Sequence, residues 1–438
     1  MKKFLSLFLA LVMMAALVPA AMAEETITII WHTTKEVYEN NLATNPDTTF
    51  DAVWSVVPAF EEKYGVKVDV RAVAWGDMLS TAVSMVNNGE SVDLVQANDQ
   101  SFPVYPARNM LLPISDYVDV NDPVFTASAT NAFTFGGKPY AVGAVATPVV
   151  LYYNVDLFES NGIDLPRDLY EAGEWDWEAF RKAAMALTFD SDNNGENDVF
   201  GFGFWDTDYV HFLASNGTSN LIYNADGTIS TGYLTEAGIE TMTFLQNAYT
   251  VDKYMYVSAS GDDFVAGFKN GKLGMTLEYG FAYMSKALNG DFDFEVDWVP
   301  MPRGPKMDVN TGMCALTGWG IGITSANPTA AANFIKMSCE MEAEFANKNN
   351  TALYGAEAVA EMNELAARSV FVPIGIDKYW DNNHTVFTGL RSNEPVVNFL
   401  TIAEEQVKSG FESTMSNYFQ KTASRLGAIR AGWHTKRM

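Results

Sequence analysis

Oxygen-bearing side chains crowd one short stretch of this sequence. Asp190, Asp192, Asn194, Glu196 and Asp198 alternate along "DSDNNGEND", with Gly195 among them. Asp190, Asp192 and Asn194 fall at positions 1, 3 and 5 of a calcium loop, Gly195 at the turn and Asp198 at position 9. Such oxygens converge on one cation only when the chain turns sharply at the glycine. Gly201 stands where the position-12 carboxylate belongs, so the competing reading is an acidic Asn/Gly-rich hairpin open to water. A calcium ion here would be structural, tying down a surface loop. The other chemistry is that of holding a ligand. Trp31, His32, Trp75, Asn98 and Asp99 stand at the ends of expected strands, where aromatic faces stack and carboxylates or amides take hydroxyl hydrogen bonds. Trp205 ends another apolar run. Trp319 lies between Gly318 and Gly320, which would leave its face uncovered.

Catalytic chemistry has no comparable signal. No G-x-S-x-G, H-E-x-x-H or G-x-x-x-x-G-K-(S/T) pattern occurs, and His32, His211, His384 and His434 lack a near partner at metal-ligand spacing. The chain is read as a non-enzyme, with a secreted glycan-hydrolysing enzyme as the alternative from another class, because a carboxylate pair needs only spatial proximity. A structural or adhesive surface protein is a third option.

The elements that must position these residues follow from periodicity. Thr26 to Trp31, Val66 to Val73 and Val92 to Gln96 read as strands. Asp51 to Tyr64 reads as a helix with Val53, Val57, Phe60 and Tyr64 on one face. Asp77 is expected to cap a second helix to about Val86. Strands alternating with helices at short spacing predict a parallel sheet covered on both faces, with ligands beyond the strands' C-terminal ends. The apolar run Val149–Tyr153 reads as a buried strand, stopped at Asn154 and followed by a short helix ending at Asn161-Gly162. Further along, Trp175–Leu187 with Asp176 as cap, Tyr209–Leu213, Glu236–Val251, Asp262–Lys269 and Glu394–Ser409 read as helices. Val199–Trp205, Leu273–Glu278 and Asp293–Met301 read as strands, and Ile229–Tyr233 as an exposed strand or turn. Trp177 falls on an apolar stripe and is expected in the core.

Residues 1–23 read as a secretory signal peptide: Lys2 and Lys3, an apolar stretch from Phe4 to about Val18, and Ala21-Met22-Ala23 as the cleavage site. No cysteine stands near that cut to accept a lipid. The chain has 438 residues, long enough for two or more domains. A net charge of −26 argues against nucleic acid and anionic lipid as partners. Cys314 and Cys339 are the cysteines, either a disulfide or two buried thiols.

Several motifs, in order, resemble the extracellular solute-binding proteins of bacterial ABC importers, in the carbohydrate-binding, maltose-binding-protein-like group. Tyr152, Tyr153, Asn154, Phe158, Gly162 and Pro166 match a "Y-Y-N-x-x-x-F-x-x-x-G-(L/I)-x-x-P" segment. "LLPISDY" at Leu111–Tyr117, with Asn109 in place of a usual glycine, "EWDWEAF", Phe268 with Gly271, Lys272, Met275 and Gly280, and Pro300, Pro302, Gly304 and Pro305 follow. Related proteins often carry a loop like that at Asp190, and Phe200-Gly201 extends the match.

The resemblance implies an α/β, two-lobe periplasmic-binding-protein fold, each lobe a mostly parallel sheet flanked by helices, with a multi-strand hinge. Lobe 1 is expected at 24–148 and 297–348, lobe 2 at 149–296 and 349–438. It makes Glu278 and Tyr279 ligand candidates, because that segment returns toward the cleft. It implies a monomer outside the cytoplasmic membrane, periplasmic or extracellular, that closes on a sugar or oligosaccharide and delivers it to an ABC permease. A peptide or an amine is the alternative ligand.

Overall fold

The computed structural model describes residues 25–409, apart from 47–48, 99–100, 103, 206–207, 225–228, 259–265, 372–385, 387 and 406–407. The signal-type segment, Asp99, the first half of the expected helix Asp262–Lys269, Trp380, His384 and the basic residues after Ala423 lie outside the described residues. The chain divides into two compact units: unit 1 comprises residues up to Val95 and the returning segment Ile321–Ser338, and unit 2 comprises Gln96–Gly320 and the chain from Cys339. Unit 2 thus takes in residues 96–148 that the sequence reading placed in its first lobe. No helix among the described residues is long and apolar enough to cross a membrane.

Unit 1 is built on β1 (Thr26–Trp31), β2 (Lys67–Ala72) and the first residues of β3 (Leu94–Asn98), with β1 between the others and parallel to both. Its helices are α1 (Lys35–Thr44), α2 (Val57–Tyr64) and α3 (Met78–Asn88). The expected start of α2 at Asp51 moves to Val57, because Pro58 suits a first turn and residues 52–56 form turns held by the Asp51 carboxylate. Asp77 precedes α3 without a side-chain cap bond, since a 3-10 turn over Trp75–Asp77 leads into the helix. The returning segment is fastened to the unit: Phe334 meets Phe60 edge-on at 5.1 Å, and Ser338 Oγ donates to Ala52 O at 2.8 Å. Asp93, fully buried, accepts from Thr28 N (2.8 Å), Ser91 Oγ (3.2 Å), Ser325 Oγ (2.5 Å) and Asn327 N (3.2 Å). A buried carboxylate is tolerable only with such a set of donors.

Unit 2 is centred on β4 (Ala146–Asn154), the apolar strand foreseen at Val149–Tyr153. It runs antiparallel to β7 (Leu273–Tyr279), β8 (Val296–Pro300) and β9 (Met313–Ile321). β5 (Phe200–Trp205) lies parallel between β6 (Met255–Ser258) and β7, and β10 (Val370–Phe371) pairs parallel with β9. The sheet of this unit is therefore mixed rather than mostly parallel.

The "YYN" signature has a physical basis. Tyr152 and Tyr153 are buried on opposite faces. Tyr152 OH donates to Gly280 O (2.5 Å), Tyr153 OH to Asp297 Oδ2 (2.7 Å), and the Asn154 side chain caps the next helix through Leu157 N (2.9 Å). Helices of unit 2 include α4 (Ala127–Ala132), α5 (Val155–Ser160), α6 (Pro166–Glu171), α7 (Trp177–Ala186), α8 (Tyr209–Ser215), α9 (Glu236–Thr250), α10 (Ala282–Leu288), the long α11 (Pro328–Tyr354), which begins in unit 1, and α12 (Ala356–Arg368). Asp176 caps α7 as expected, accepting from Glu178 N and Ala179 N at 3.0 Å, and Trp177 is buried in the core. Asn109 adopts φ +52°, the left-handed conformation that glycine usually fills. Tyr233 is fully buried with its hydroxyl 2.8 Å from that of Tyr209, so the stretch foreseen as exposed at Ile229–Tyr233 enters the core at its end. Cys314 and Cys339 are free, buried thiols.

Candidate functional site

The end of β1 carries an aromatic cluster in unit 1. Trp31 is 3% exposed, and its indole N–H is shared between the two Asp51 oxygens at 3.0 Å. His32 packs against Trp31 (centroids 4.4 Å) and meets Trp75 edge-on at 4.8 Å. Burial lowers the His32 pKa, against an opposing pull from Asp51, and its Nδ1 is buried without a hydrogen-bond partner. Trp75 is 40% exposed and presents the open ring of the cluster. Three of the sequence candidates thus come together, with Trp31 as the support and Trp75 as the accessible face. Asn98 is buried and its Oδ1 accepts from Ser101 N and Oγ, both at 2.9 Å, at the end of β3.

A second group stands at the ends of β5 and β7. Trp205 is 37% exposed. Glu278 Oε1 accepts from the Tyr279 amide at 2.9 Å, and burial raises the Glu278 pKa. The Tyr279 ring meets His211 of α8 at right angles, centroids 6.4 Å apart. His211 is buried, with Nε2 3.6 Å from Asp208 Oδ1 and Nδ1 unpartnered. Trp319 differs from its expectation: it is 3% exposed, paired with Val142 through both backbone bonds. The neighbouring glycines serve close backbone approach instead. A Cβ on Gly318 would sit 2.6 Å from the Phe133 ring, and one on Gly143 would sit 2.1 Å from Thr317 O.

Beside this group unit 2 holds a cavity of about 790 Å³, open on one side. Its walls are the start of α4, the start of β4 (Ala146–Pro148), Gly280–Ala282, the second half of α11 and one side of α12. Phe281 and Tyr354 lie against each other there, centroids 4.2 Å apart and planes within 16°. The polar groups on the described lining are amides and hydroxyls, among them Asn347, Asn350, Asn363, Thr147 and Ser285, and no Asp, Glu, Lys, Arg or His stands among them. In a chain of net charge −26 that neutrality is selective. An ion entering would lose its hydration without a counter-charge, whereas a neutral hydroxyl-rich molecule finds both donors and acceptors. The volume lies within the range of small-molecule sites. Sequence reading missed Phe281 and Tyr354. The local signal was the run of asparagines at Asn347, Asn349 and Asn350 inside a helix, where amides add little to helix stability.

The 190–198 loop is exposed and folded about its first carboxylate. Gly195, at φ +96°, donates its N–H to Asp190 Oδ2 (2.7 Å), and Asn194 N lies 3.2 Å from Asp190 Oδ1 and 3.1 Å from Asp192 Oδ1. These backbone donors, the Gly195 amide foremost, lower the Asp190 pKa. Asp198 is engaged elsewhere: Lys272 Nζ (2.5 Å) and Ser191 hold its carboxyl well below the usual range. Among the described residues no group of three His, Cys, Asp or Glu side chains is placed to hold a metal ion.

The sequence matches the family of bacterial extracellular solute-binding proteins over residues 44–342. Putative binding proteins of Brucella abortus and Brucella suis are 27% identical over 232 residues, covering 51% of this chain and 53% of theirs. The chain thus spans about half the length of the curated relatives it matches. Among solved structures, an ABC substrate-binding protein from Listeria monocytogenes in complex with cycloalternan superposes with a TM-score of 0.60 at 20% identity, covering 91% of this chain and 99% of that one. The Thermus thermophilus maltotriose binding protein bound with maltotriose gives 0.55 at 20%, with 91% and 99% covered. An ABC transporter solute-binding protein from Thermotoga lettingae bound with alpha-D-tagatose gives 0.61 at 16%, with 88% and 99% covered. At these identities the superpositions speak for the fold.

Proposed function

Because this chain belongs to the bacterial extracellular solute-binding protein family, we propose that it is a non-catalytic carrier that captures a neutral sugar or short oligosaccharide outside the cytoplasmic membrane and presents it to an ABC import permease. The observation that carries the ligand class is the uncharged cavity of unit 2, with the Phe281–Tyr354 pair and three asparagine amides on its wall. Solved proteins of the same fold that hold cycloalternan, maltotriose and tagatose support the same reading. A site that must satisfy hydroxyls rejects molecules lacking them, because its own buried polar groups would be left unpaired.

Trp75, His32, Trp205, Glu278 and Tyr279 are proposed as additional ligand contacts. Trp31 backs His32 from within the core of unit 1, and Asp99 is proposed as a further contact from its place in the sequence. Ligand binds more tightly to a closed form and shifts the open–closed balance by that difference. The lobes that move are proposed to be 24–148 with 297–348 and 149–296 with 349–438. A structural calcium ion in the 190–198 loop is a separate proposal. It rests on the fold of the loop about Asp190 and requires Asp198 to exchange Lys272 for the ion.

The test is thermal unfolding of dialysed protein against neutral mono- to tetrasaccharides, uronic acids, peptides and amines. A saturable rise in midpoint with neutral glycans alone, without turnover of the glycan, is the expected outcome. A rise with a peptide or an amine and none with any glycan would overturn the carbohydrate assignment.

A further inference from the structure

α12 forms one wall of the cavity through Val359, Met362, Asn363, Ala366 and Ala367, and a cluster on its other side binds it to α6 and β8. Arg167, in the first turn of α6, is the centre of that cluster. Its Nη1 lies 2.7 Å from Glu361 Oε1 of α12, and its Nη2 donates to the Trp298 carbonyl of β8. Its Nε stands 3.6 Å from Asp297, which is itself fixed by Tyr153 OH. The guanidinium also lies over the Trp298 ring at 5.1 Å and near the Tyr170 ring at 5.7 Å. About two turns further along α12, Arg368 Nη2 donates to Tyr170 OH at 2.9 Å and Nη1 pairs with Glu364.

We propose that Arg167 is a positioning residue for ligand binding: through Glu361 it sets the distance of α12 from β8, and so the width of the cavity on the opposite side of that helix. The inference rests on the cavity being the ligand site. A planar, multiply bonded guanidinium suits this task, because its donors fix orientation as well as distance. Neither Arg167 nor Glu361 lines the cavity, so an effect on binding would have to travel through α12.

The test uses the full protein with Arg167→Met, which keeps the packed stem, Glu361→Gln, and the double variant. Arg181→Met, which breaks the bidentate Arg181–Asp252 pair on α7, controls for general destabilisation. The readouts are the Kd for the best neutral oligosaccharide, measured well below the melting range, and hydrogen exchange along α12. We expect each single variant to weaken binding about tenfold and the double variant to be no worse than the singles, as for residues acting through one contact. Exchange of the α12 amides should speed up, and Arg181→Met should change neither readout. A lower melting midpoint with unchanged Kd and unchanged α12 exchange would overturn the proposal. Asn350→Asp separates the two readings. If it abolishes binding while Arg167→Met leaves the Kd intact, the positioning role fails alone. If it leaves binding intact, the cavity assignment fails and this inference with it.

Discussion

Replacing Asp93 with alanine should destabilise unit 1 severely, and the size of the effect can be worked from its bonds. The carboxylate is fully buried and accepts from Thr28 N, Ser91 Oγ, Ser325 Oγ and Asn327 N. Two of these donors belong to the returning segment, so Asp93 joins the two stretches of chain that build the unit. Removing it strands two backbone N–H groups, each costing about 1–3 kcal/mol when left unpaired, and the serines lose their charged acceptor while retaining rotational freedom. The total is about 3–5 kcal/mol. Unit 1 has roughly 90 described residues, which gives an unfolding entropy on the order of 0.2 kcal/mol/K. The midpoint should therefore fall by about 15–25 °C if unit 1 melts independently. If the whole chain melts as one transition, several-fold more residues share the loss and the fall should be about 4–6 °C. Calorimetry resolves the two cases, and hydrogen exchange locates the loss at β1, β3 and residues 321–338. Asp93→Asn keeps one acceptor oxygen and should cost about half as much. A midpoint within about 2 °C of wild type for Asp93→Ala, below either range, would show that the carboxylate does not hold the two stretches of chain together. Asp93→Asn costing as much as Asp93→Ala would also refute the reasoning.

Other outcomes follow from the same structure. Phe281→Ala removes the ring stacked on Tyr354 and should weaken neutral-glycan binding by about 1–2 kcal/mol, some tenfold, in calorimetric titration; an unchanged Kd would remove that wall from the ligand site. Burial raises the Glu342 pKa from 4.5 to about 7. Its unfolded form therefore ionises first, and stability is lost as pH rises from about 4.5 to 7 and stays lost above. Glu342→Gln should remove that slope and gain about 1–3 kcal/mol at pH 8, read from urea midpoints at pH 5 and pH 8; equal pH slopes in the two proteins would refute it. Burial pushes the Cys314 thiol up to about 12 and raises Cys339 likewise, so both should resist a thiol reagent at pH 8 and react together on unfolding without prior reduction. Millimolar calcium should raise the melting midpoint of wild type and not of Asp190→Asn; equal responses would remove the ion from the 190–198 loop.

The elements of this fold were largely legible from local pattern. The apolar run Val149–Tyr153 is the central strand of unit 2, Asp176 caps α7, and Asn109 takes the left-handed turn, because burial periodicity and capping chemistry act within a few residues. α1 escaped the sequence reading for the same reason: none of its residues is buried, so it writes no apolar stripe. The order of the motifs identified the family, since each keeps a backbone requirement that does not depend on what is bound. What lies far apart in sequence was decided only in three dimensions. Tyr354 meets Phe281, Arg167 meets Glu361, and Lys272 takes Asp198, none of which spacing foretells. Trp319 shows the limit from the other side. Its glycine neighbours were legible, but whether they open space for a ligand or admit another strand of the chain depends on what packs there, and here it is backbone and the Phe133 ring. Local sequence fixes dihedral preference and which face is apolar, whereas a binding site is a set of distances between elements, and those are set by packing.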